Sequence, residues 1–511
     1  MRMKICYLCY SSGIIEVIVL TLLSLQTSFA QHEDIPYQNV ENICNTCTCM
    51  NAQDAYKKYH HMLDCSTKNF NHILARWPSE FGSNHQGVEI VATFSGNKIE
   101  LLQQLPATNA TLLFSCRHCH IKDIQAPTFM DVPNIVRLDL SWNEITSDAL
   151  SADVFRGPYK NTGYEPIKLR DLDLSHNKIS SLQKLLFEHT PDIAYLNLGY
   201  NSLKMMDTTT LMAISSASSL KDLDLSHNDL ESLPSTLFKN LIALKALKLQ
   251  GNKLKAIPTD LNLIGRTLEY LNFANNPIKT LNEVNFNGFK TLQYLNISSM
   301  NELTTVAKDT FSHLESLEYL YCSRNPHLTS FDIDGLLHCR NLAILDISYC
   351  KLETVNTDVD LSNELPKNFT AQWPKLQAIQ VVGNPWTCDC KLMKILEYCG
   401  KDVFKMDIQA RCHWPFGLSG IRISNLTSEF VCNLPKEYIV PEEVDPPKFL
   451  RRRYIALTIV TIALVLFFGV LAGFGIVYIH RRLKRDDFGI APIRYTSVRV
   501  SNQSAASAIL K

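Results

Sequence analysis

The chain has 511 residues with 50 basic and 50 acidic side chains, and this balance argues against a nucleic-acid partner. It is longer than a typical compact domain, so several domains or one repeat array are predicted. The sequence contains no nucleophile elbow, zinc-protease motif or phosphate-binding glycine loop, so we expect neither an enzyme nor a bound cofactor.

The N-terminal residues have the pattern of a secretory signal peptide. Arg2 and Lys4 precede an apolar run at 17–25, and small residues before Gln31 offer a cleavage site. We therefore predict a signal peptide at 1–30, with a retained signal anchor as the alternative. In both cases the bulk of the chain reaches the outside.

Eight of the 16 cysteines form two clusters. The first consists of Cys44, Cys47, Cys49 and Cys65, and the second of Cys388, Cys390, Cys412 and Cys432. Because the clusters bracket a cysteine-poorer middle, they predict disulfide-closed ends in an oxidising compartment. Spacing alone leaves three pairings open within each cluster.

A leucine-rich template, L-x-x-L-x-L-x-x-N/C-x-L, recurs throughout 88–383. One copy places its consensus residues at Leu169, Leu172, Leu174, Asn177 and Ile179. The asparagine position marks the copies, at Asn97, Cys119, Asn143, Asn177, Asn201, Asn228, Asn252, Asn276, Met300, Asn325, Cys350 and Asn384. Most markers are about 24 residues apart, which is typical of this repeat class.

Each repeat predicts one short strand, because its two inward leucines alternate with an outward residue. One repeat cannot bury its own apolar edge, so neighbours must stack and share a core. The expected fold is an α/β solenoid, a horseshoe with a parallel concave sheet of twelve strands. The asparagine should bond backbone groups where the chain leaves the strand, with Cys119 and Cys350 as weak thiol substitutes. A convex column is predicted at Phe129, Phe155, Phe187, Phe238, Phe286 and Phe311.

Two gaps between markers are about ten residues longer than the others. They lie around 157–166 and 356–368, and the second carries Asp358, Asp360 and Glu364. Each is interpreted as a tolerated surface loop, and a ligand-contacting protrusion is the alternative.

The cysteine clusters resemble the flanks of extracellular leucine-rich-repeat proteins. The first has their C-x-x-C-x-C spacing, and NPWTCDC at 384–390 has the form of their C-terminal motif. The resemblance implies an N-terminal cap with the first repeat at 31–87 and a C-terminal cap at 384–432. It also implies the disulfides Cys44–Cys49, Cys47–Cys65, Cys388–Cys412 and Cys390–Cys432. Cys399 has no place in this pattern and is either free or bonded between chains.

The end of the chain predicts a membrane anchor. Prolines indicate an extended stalk at 433–453, and the uncharged run at 454–479 would form a helix of about 39 Å, enough to cross a bilayer. Residues 480–511 would be an inner tail too short for the signalling domain of Toll-type receptors. With the signal peptide, this predicts a type I single-pass protein of the plasma membrane. Gly469 and Gly473 form a GxxxG motif, which leaves a homodimer open.

Four outer sequons predict N-glycosylation, at Asn109, Asn296, Asn368 and Asn425. Asn296 lies between two inward residues, so a glycan on it would cover part of the concave face. A ligand surface is predicted at the outward tyrosines Tyr270, Tyr294, Tyr319, Tyr321 and Tyr349. The alternative is that tyrosine is a routine occupant of this exposed position.

The N-terminal half has an acidic column instead. It consists of Asp139, Asp173 and Asp224, beside Trp142, His176 and His227. Calcium or a basic ligand is one interpretation, and a routine exposed acid is the other. The CRHCH segment at 116–120 looks like a metal cluster, but Cys116 takes an inward position, so core packing or a local disulfide is expected. Cys322 and Cys339 are expected to be buried thiols.

The function indicated is binding of an extracellular protein ligand or a homophilic partner, most directly in cell adhesion or cell–cell recognition. The layout resembles short-tailed members of the family, of the trophoblast-glycoprotein-like and neuronal adhesion types. That resemblance implies two alternatives, a modulator of Wnt-type or other receptor signalling and an innate-immune ligand-binding co-receptor.

Overall fold

The computed structural model describes residues 42–53, 59–82, 87–359, 373–399, 409–435, 438 and 448–485. The chain divides into two units, Met1–Ile439 and Val440–Lys511, each described by itself. The predicted signal peptide, the Asn368 sequon, residues 436–437 and 439–447 of the stalk and residues 486–511 of the inner tail lie outside the described residues.

The main sheet has 14 strands, and their order in the sheet is their order in the chain. They are β1 Thr48–Gln53, β2 Tyr59–Asp64, β3 Glu89–Thr93, β4 Thr111–Ser115, β5 Ile135–Asp139, β6 Asp171–Asp173, β7 Tyr195–Asn197, β8 Asp222–Asp224, β9 Ala246–Lys248, β10 Tyr270–Asn272, β11 Tyr294–Asn296, β12 Tyr319–Tyr321, β13 Ile344–Asp346 and β14 Ala378–Gln380. Only β1 is antiparallel to its neighbour in this sheet. Strands β3–β14 confirm the predicted repeat strands, and the β1–β2 hairpin is an addition that the repeat pattern does not predict.

Smaller elements lie outside this sheet. The α-helices are α1 Thr208–Ser216, α2 Cys390–Cys399, α3 Ser428–Cys432 and α4 Lys448–Arg485. Short strands pair as Leu101–Leu102 with Asp123–Ile124, as Tyr159–Lys160 with Gly163–Tyr164, as Trp386–Thr387 with Cys412–Trp414, and as a trio of Thr280–Leu281, Thr305–Val306 and Ser330–Phe331. The 3-10 helices are Ile43–Asn45, Ser79–Phe81, Ser147–Ala149, Ala152–Phe155, Leu237–Lys239, Thr259–Ile264, Glu283–Phe286, Asp334–Leu336, Phe416–Leu418 and Ile423–Asn425.

The parallel register aligns the inward leucines of neighbouring repeats. Leu196 lies opposite Leu172 on one side and Leu223 on the other, and all three side chains are fully buried. Because each repeat supplies only one such side chain per column, its burial depends on the repeats before and after it. The core is therefore one continuous cluster along the array.

The convex side is filled by phenylalanines, as the sequence predicts. All six predicted side chains are buried, and the rings of Phe129 and Phe155 stack with centroids 5.8 Å apart. Phe331, which the pattern does not single out, extends the column past Phe311 at a centroid distance of 6.1 Å.

Buried asparagines bond one repeat to the next. The Asn177 Nδ2 donates to the Leu140 and Leu174 carbonyls, both at 3.0 Å, and its Oδ1 accepts from the Ile145 amide at 3.0 Å. These bonds satisfy backbone groups that have no strand partner where the strand ends, in a region closed to water.

The free cysteines among the described residues are all buried, at Cys116, Cys119, Cys322, Cys339, Cys350 and Cys399. Two of them replace asparagine as predicted. The Cys119 thiol donates to the Phe94 carbonyl at 3.2 Å, and the Cys350 thiol to the Cys322 carbonyl at 3.4 Å. Cys116 packs in the core without a local disulfide.

Four disulfides close the caps, with the pairs that the family resemblance implies: Cys44–Cys49, Cys47–Cys65, Cys388–Cys412 and Cys390–Cys432. The last joins the start of α2 to the end of α3. The Trp386 side chain lies buried beyond the final repeat strand and donates to the Val381 carbonyl at 2.7 Å. Cys399 is a free thiol whose pKa burial raises to about 12. Because it is 4% exposed, it is not available for a bond between chains while the cap is closed.

The insertion at 157–166 folds into the short hairpin given above. Gly157 lies at its base, where a Cβ would come within 2.3 Å of the Glu165 carbonyl oxygen, so no other residue fits without a shift. Most of the second insertion lies outside the described residues, and its Asp358 carboxylate pairs with the Lys308 ammonium.

The second unit contains the long helix α4. Its segment Leu457–Arg482 is the one stretch among the described helices that is long and apolar enough to cross a membrane. It begins three residues later than the predicted run at 454–479.

Candidate functional site

Every repeat has one residue with a left-handed backbone, directly before its asparagine position. These residues are Gly96, His118, Trp142, His176, Tyr200, His227, Gly251, Asn275, Ser299, Arg324, Tyr349 and Gly383, with φ between 50° and 77°. None is β-branched, in keeping with the high cost of this conformation for such residues. Backbone hydrogen bonds between repeats hold this conformation. For example, the His176 amide donates to the Gly199 carbonyl at 2.9 Å.

Five consecutive repeats place an aromatic or imidazole ring at this left-handed position. The rings stack into what we call the aromatic ladder, formed by His118, Trp142, His176, Tyr200 and His227. The last four are spaced with centroids 3.7, 4.0 and 4.1 Å apart and interplanar angles of 11–12°. His118 packs more loosely on Trp142, at 4.9 Å. At the other end, a Cβ on Gly251 would lie 2.5 Å from the His227 Nδ1, so glycine makes room for the last ring.

The rings of the aromatic ladder are exposed to solvent, and their stacking holds them in place. Trp142 is 43% exposed and Tyr200 46%. The sequence places Trp142, His176 and His227 beside the acidic column, but it gives no sign that the rings stack or that His118 belongs with them. A repeat-by-repeat comparison of the residue before each asparagine is the signal that would have found the ladder.

Burial is the main cause that lowers the pKa of His176 and of His227, and the other two ladder histidines, His227 and His118, add to the effect at His176. We expect acidification to weaken these repeats. In the unfolded chain His176 binds a proton near its ordinary pKa of 6.5, whereas in the folded chain it does not. The stability that is present above this pH therefore falls as the pH drops towards the folded pKa. His176→Phe keeps a ring and removes the titration. Its melting temperature should therefore change less than the parent's between about pH 7.5 and about pH 5.5, and an equal change would contradict this cause.

Carboxylates face outward on strands β5, β6 and β8, the last two of which are separated by β7. They are Asp139, Asp171, Asp173, Asp222 and Asp224. Cations of the same sheet pair with several of them, since the Arg137 guanidinium lies 2.9 Å from Asp171 and the Lys248 ammonium 3.3 Å from Asp222. Among the described residues, no group of three His, Cys, Asp or Glu side chains is placed to hold a metal ion. The calcium interpretation therefore has no geometric support in this part of the chain.

Four of the five predicted surface tyrosines come together on strands β10–β12. We call Tyr270, Tyr294, Tyr319 and Tyr321 the tyrosine cluster. Tyr270 and Tyr294 stack at 4.3 Å with planes 10° apart, and Tyr294 contacts Tyr321 at 5.3 Å and Tyr319 at 6.4 Å. Burial and the neighbouring Tyr270 raise the pKa of Tyr294 to about 12, so its hydroxyl stays protonated. The rings are half-buried against each other and present their remaining surface on the concave face.

Tyr349 does not join this cluster, and its part in the predicted ligand surface stays a prediction. It occupies the left-handed position after β13, where the strand alternation used to group the tyrosines no longer applies. The ring is 52% exposed and lies over Gly383, where a Cβ would come within 2.5 Å of the Tyr349 Cδ1. No aromatic ring of the described residues stacks on it.

The sequons lie in different surroundings, and their glycosylation stays a prediction. Asn109 and Asn425 are exposed. Asn296 lies in β11 within the tyrosine cluster, and its Oδ1 accepts the Ser298 amide at 3.0 Å. A glycan there would stand on the concave face next to Tyr294.

The sequence matches two family profiles, both described as leucine rich repeat, at 167–216, 218–262, 299–352 and 133–152. Chicken (Gallus gallus) lumican is 29% identical over 212 residues, which make up 41% of this chain and 49% of lumican. Mouse (Mus musculus) CD180 antigen is 25% identical over 416 residues, 77% of this chain and 55% of CD180 antigen. The chain thus spans about half the length of these relatives.

Two solved structures are similar at lower identity. Human 5T4, trophoblast glycoprotein, is 19% identical with a TM-score of 0.36, over 52% of this chain and 87% of that one. The Drosophila Toll–Spätzle complex contains a chain that is 19% identical with a TM-score of 0.45, over 66% of this chain and 51% of its own.

Proposed function

Because the chain is a leucine-rich-repeat protein with disulfide-bonded flanks, we propose that it acts at the cell surface and binds another protein through its concave sheet, in adhesion or recognition between cells. The tyrosine cluster is the observation that carries this proposal. Its rings lie on three adjacent strands of the concave face, held by the rigid parallel register.

Stacked tyrosines suit a protein interface for two physical reasons. Each ring offers a large apolar face and a hydroxyl, while it has few torsion angles to freeze on binding. Here Tyr270 and Tyr294 already immobilise each other in the folded chain. Less side-chain conformational entropy is therefore lost when the partner binds.

The aromatic ladder enlarges the surface available to a partner. It lies where the chain leaves the strands, beside the outward carboxylates of β5, β6 and β8. Aromatic side chains and charged rims are the usual composition of interface centres and edges. The aromatic ladder lies in the turns after β4–β8, and the tyrosine cluster lies on β10–β12.

Helix α4 supports anchoring in a membrane, since its 26-residue apolar segment matches the thickness of a bilayer. The predicted signal peptide would place the repeats outside, in a type I orientation at the plasma membrane. The exposed sequons at Asn109 and Asn425 agree with that side.

Replacing Tyr294 with alanine tests the binding surface. We expect Tyr294→Ala to weaken binding of the partner by more than about tenfold, because it removes the ring that contacts the other three. The melting temperature should change little, since the side chain is only half-buried. The measurement is adhesion of suspended cells that display the full chain, at matched surface levels.

Tyr159→Ala is the matched control, because this 61% exposed tyrosine belongs to the inserted hairpin and not to the concave sheet. It should leave adhesion unchanged. Equal adhesion by the parent chain and Tyr294→Ala would exclude the tyrosine cluster as the contact.

A further inference from the structure

One loop of the C-terminal cap exposes large apolar side chains. Trp414, Phe416 and Ile421 are 41%, 63% and 37% exposed. The loop turns back on itself, since the Cys412 amide donates to the Ile421 carbonyl at 2.9 Å and the Gly420 amide to the Cys412 carbonyl at 2.8 Å. We call residues 411–422 the cap loop.

The cap loop also carries unbalanced positive charge. Arg411 and Arg422 lie directly opposite each other in an antiparallel bridge, and both are exposed. Like charges in this arrangement repel. The Arg411 Nη1 donates to the Gly420 carbonyl at 2.6 Å, and no carboxylate among the described residues forms an ion pair with either arginine. An anion outside the protein would relieve this repulsion.

The last described residue of the first unit packs against the cap loop. Tyr438 packs against it, so closely that a Cβ on Gly417 would lie 2.4 Å from the Tyr438 Cδ1. In the sequence, nine residues separate Tyr438 from Lys448, where helix α4 begins.

We propose that the cap loop rests on the phospholipid headgroup layer of the membrane that holds helix α4. Trp414 and Phe416 enter the interfacial region, where amphipathic aromatic rings are favoured. Arg411 and Arg422 bind lipid phosphates, which guanidinium groups recognise through paired hydrogen bonds. Because the loop and the proposed anchor belong to one chain, lipid binding by the loop is intramolecular in the anchored protein, and a weak intrinsic affinity is sufficient. This inference rests on the membrane anchoring proposed above.

Tryptophan quenching in vesicles tests the contact with the full chain. The protein is reconstituted in phosphatidylcholine vesicles that contain lipids with a nitroxide quencher just below the headgroup. The difference between the parent and Trp414→Phe isolates the Trp414 signal from the four other tryptophans, of which Trp373 and Trp386 are fully buried. We expect strong quenching of the Trp414 signal. The pair Arg411→Ala and Arg422→Ala should reduce that quenching at least about threefold, because the phosphate contacts are lost.

The control is the pair Arg266→Ala and Arg340→Ala, two exposed arginines of the repeats, which should leave the quenching unchanged. Flotation of the chain with the vesicles separates the two proposals. A chain that does not float overturns the anchoring and the lipid contact together. A chain that floats without quenching of Trp414 overturns the lipid contact alone. Binding of heparin that requires both cap-loop arginines, without quenching, would assign the loop to a soluble polyanion and likewise overturn the lipid contact.

Discussion

Leu223→Asp is expected to unfold the repeats around β8. Leu223 is fully buried between Leu196 and Leu247, so the change removes apolar contacts on both sides and places an unpaired carboxylate in the core. We expect the free energy of unfolding to fall by more than about 4 kcal/mol. Because stacked repeats depend on each other, the flanking repeats should lose protection from hydrogen exchange as well.

Leu185→Asp is the control for this experiment. Leu185 carries the same side chain but is 54% exposed, so its replacement should change the melting temperature of the purified chain very little. Similar melting of Leu223→Asp and the parent chain would mean that Leu223 does not face the core and that the strand register is wrong.

Cys390→Ser is expected to prevent the chain from reaching the cell surface. The Cys390–Cys432 disulfide closes a loop of 42 residues in sequence separation, and its loss should cost about 4 kcal/mol of cap stability. The cap covers the apolar end of the last repeat, and Cys432 would be left as a free thiol. Surface labelling against total protein measures the loss, which should be nearly complete.

Cys399→Ala provides the comparison, since Cys399 lies in the same helix α2 but forms no disulfide. Its surface level should stay close to that of the parent chain. If Cys390→Ser reached the surface at the parent level, the disulfide would not be required to close the cap.

The repeat architecture could be predicted because the same leucine template occurs many times in the sequence. An inward leucine such as Leu196 is recognisable from one template, and eleven other copies fix its register. The caps could be predicted for a different reason, since the NPWTCDC motif at 384–390 resembles the C-terminal flank of extracellular leucine-rich-repeat proteins. Even so, the β1–β2 hairpin is not predicted, because the resemblance implies which cysteines pair and says nothing about strand geometry.

The candidate site was predictable only where strand alternation applies. Tyr270, Tyr294 and Tyr321 follow that rule, and the structure brings them together. Tyr349 lies beyond its strand, in a left-handed turn, and the same rule misplaces it. The stacking of Trp142 on its neighbours could not be predicted for the same reason. Its position lies in a turn, and one turn residue in every 24 or so shows no periodicity within a single repeat.

Sorting of mixed cells tests the central claim, binding of a protein partner by the concave sheet, most directly. Suspended cells that display the full chain are mixed with differently labelled cells that display the parent chain, Tyr294→Ala or no chain. We predict that cells displaying the parent chain form aggregates and that cells displaying Tyr294→Ala do not. The aggregates form either between cells that both display the chain or with cells that display no chain and supply a different partner. Aggregates of the first kind would identify homophilic adhesion, and those of the second a different ligand. Aggregation that is the same for the parent chain, Tyr294→Ala and cells without the chain would contradict the claim.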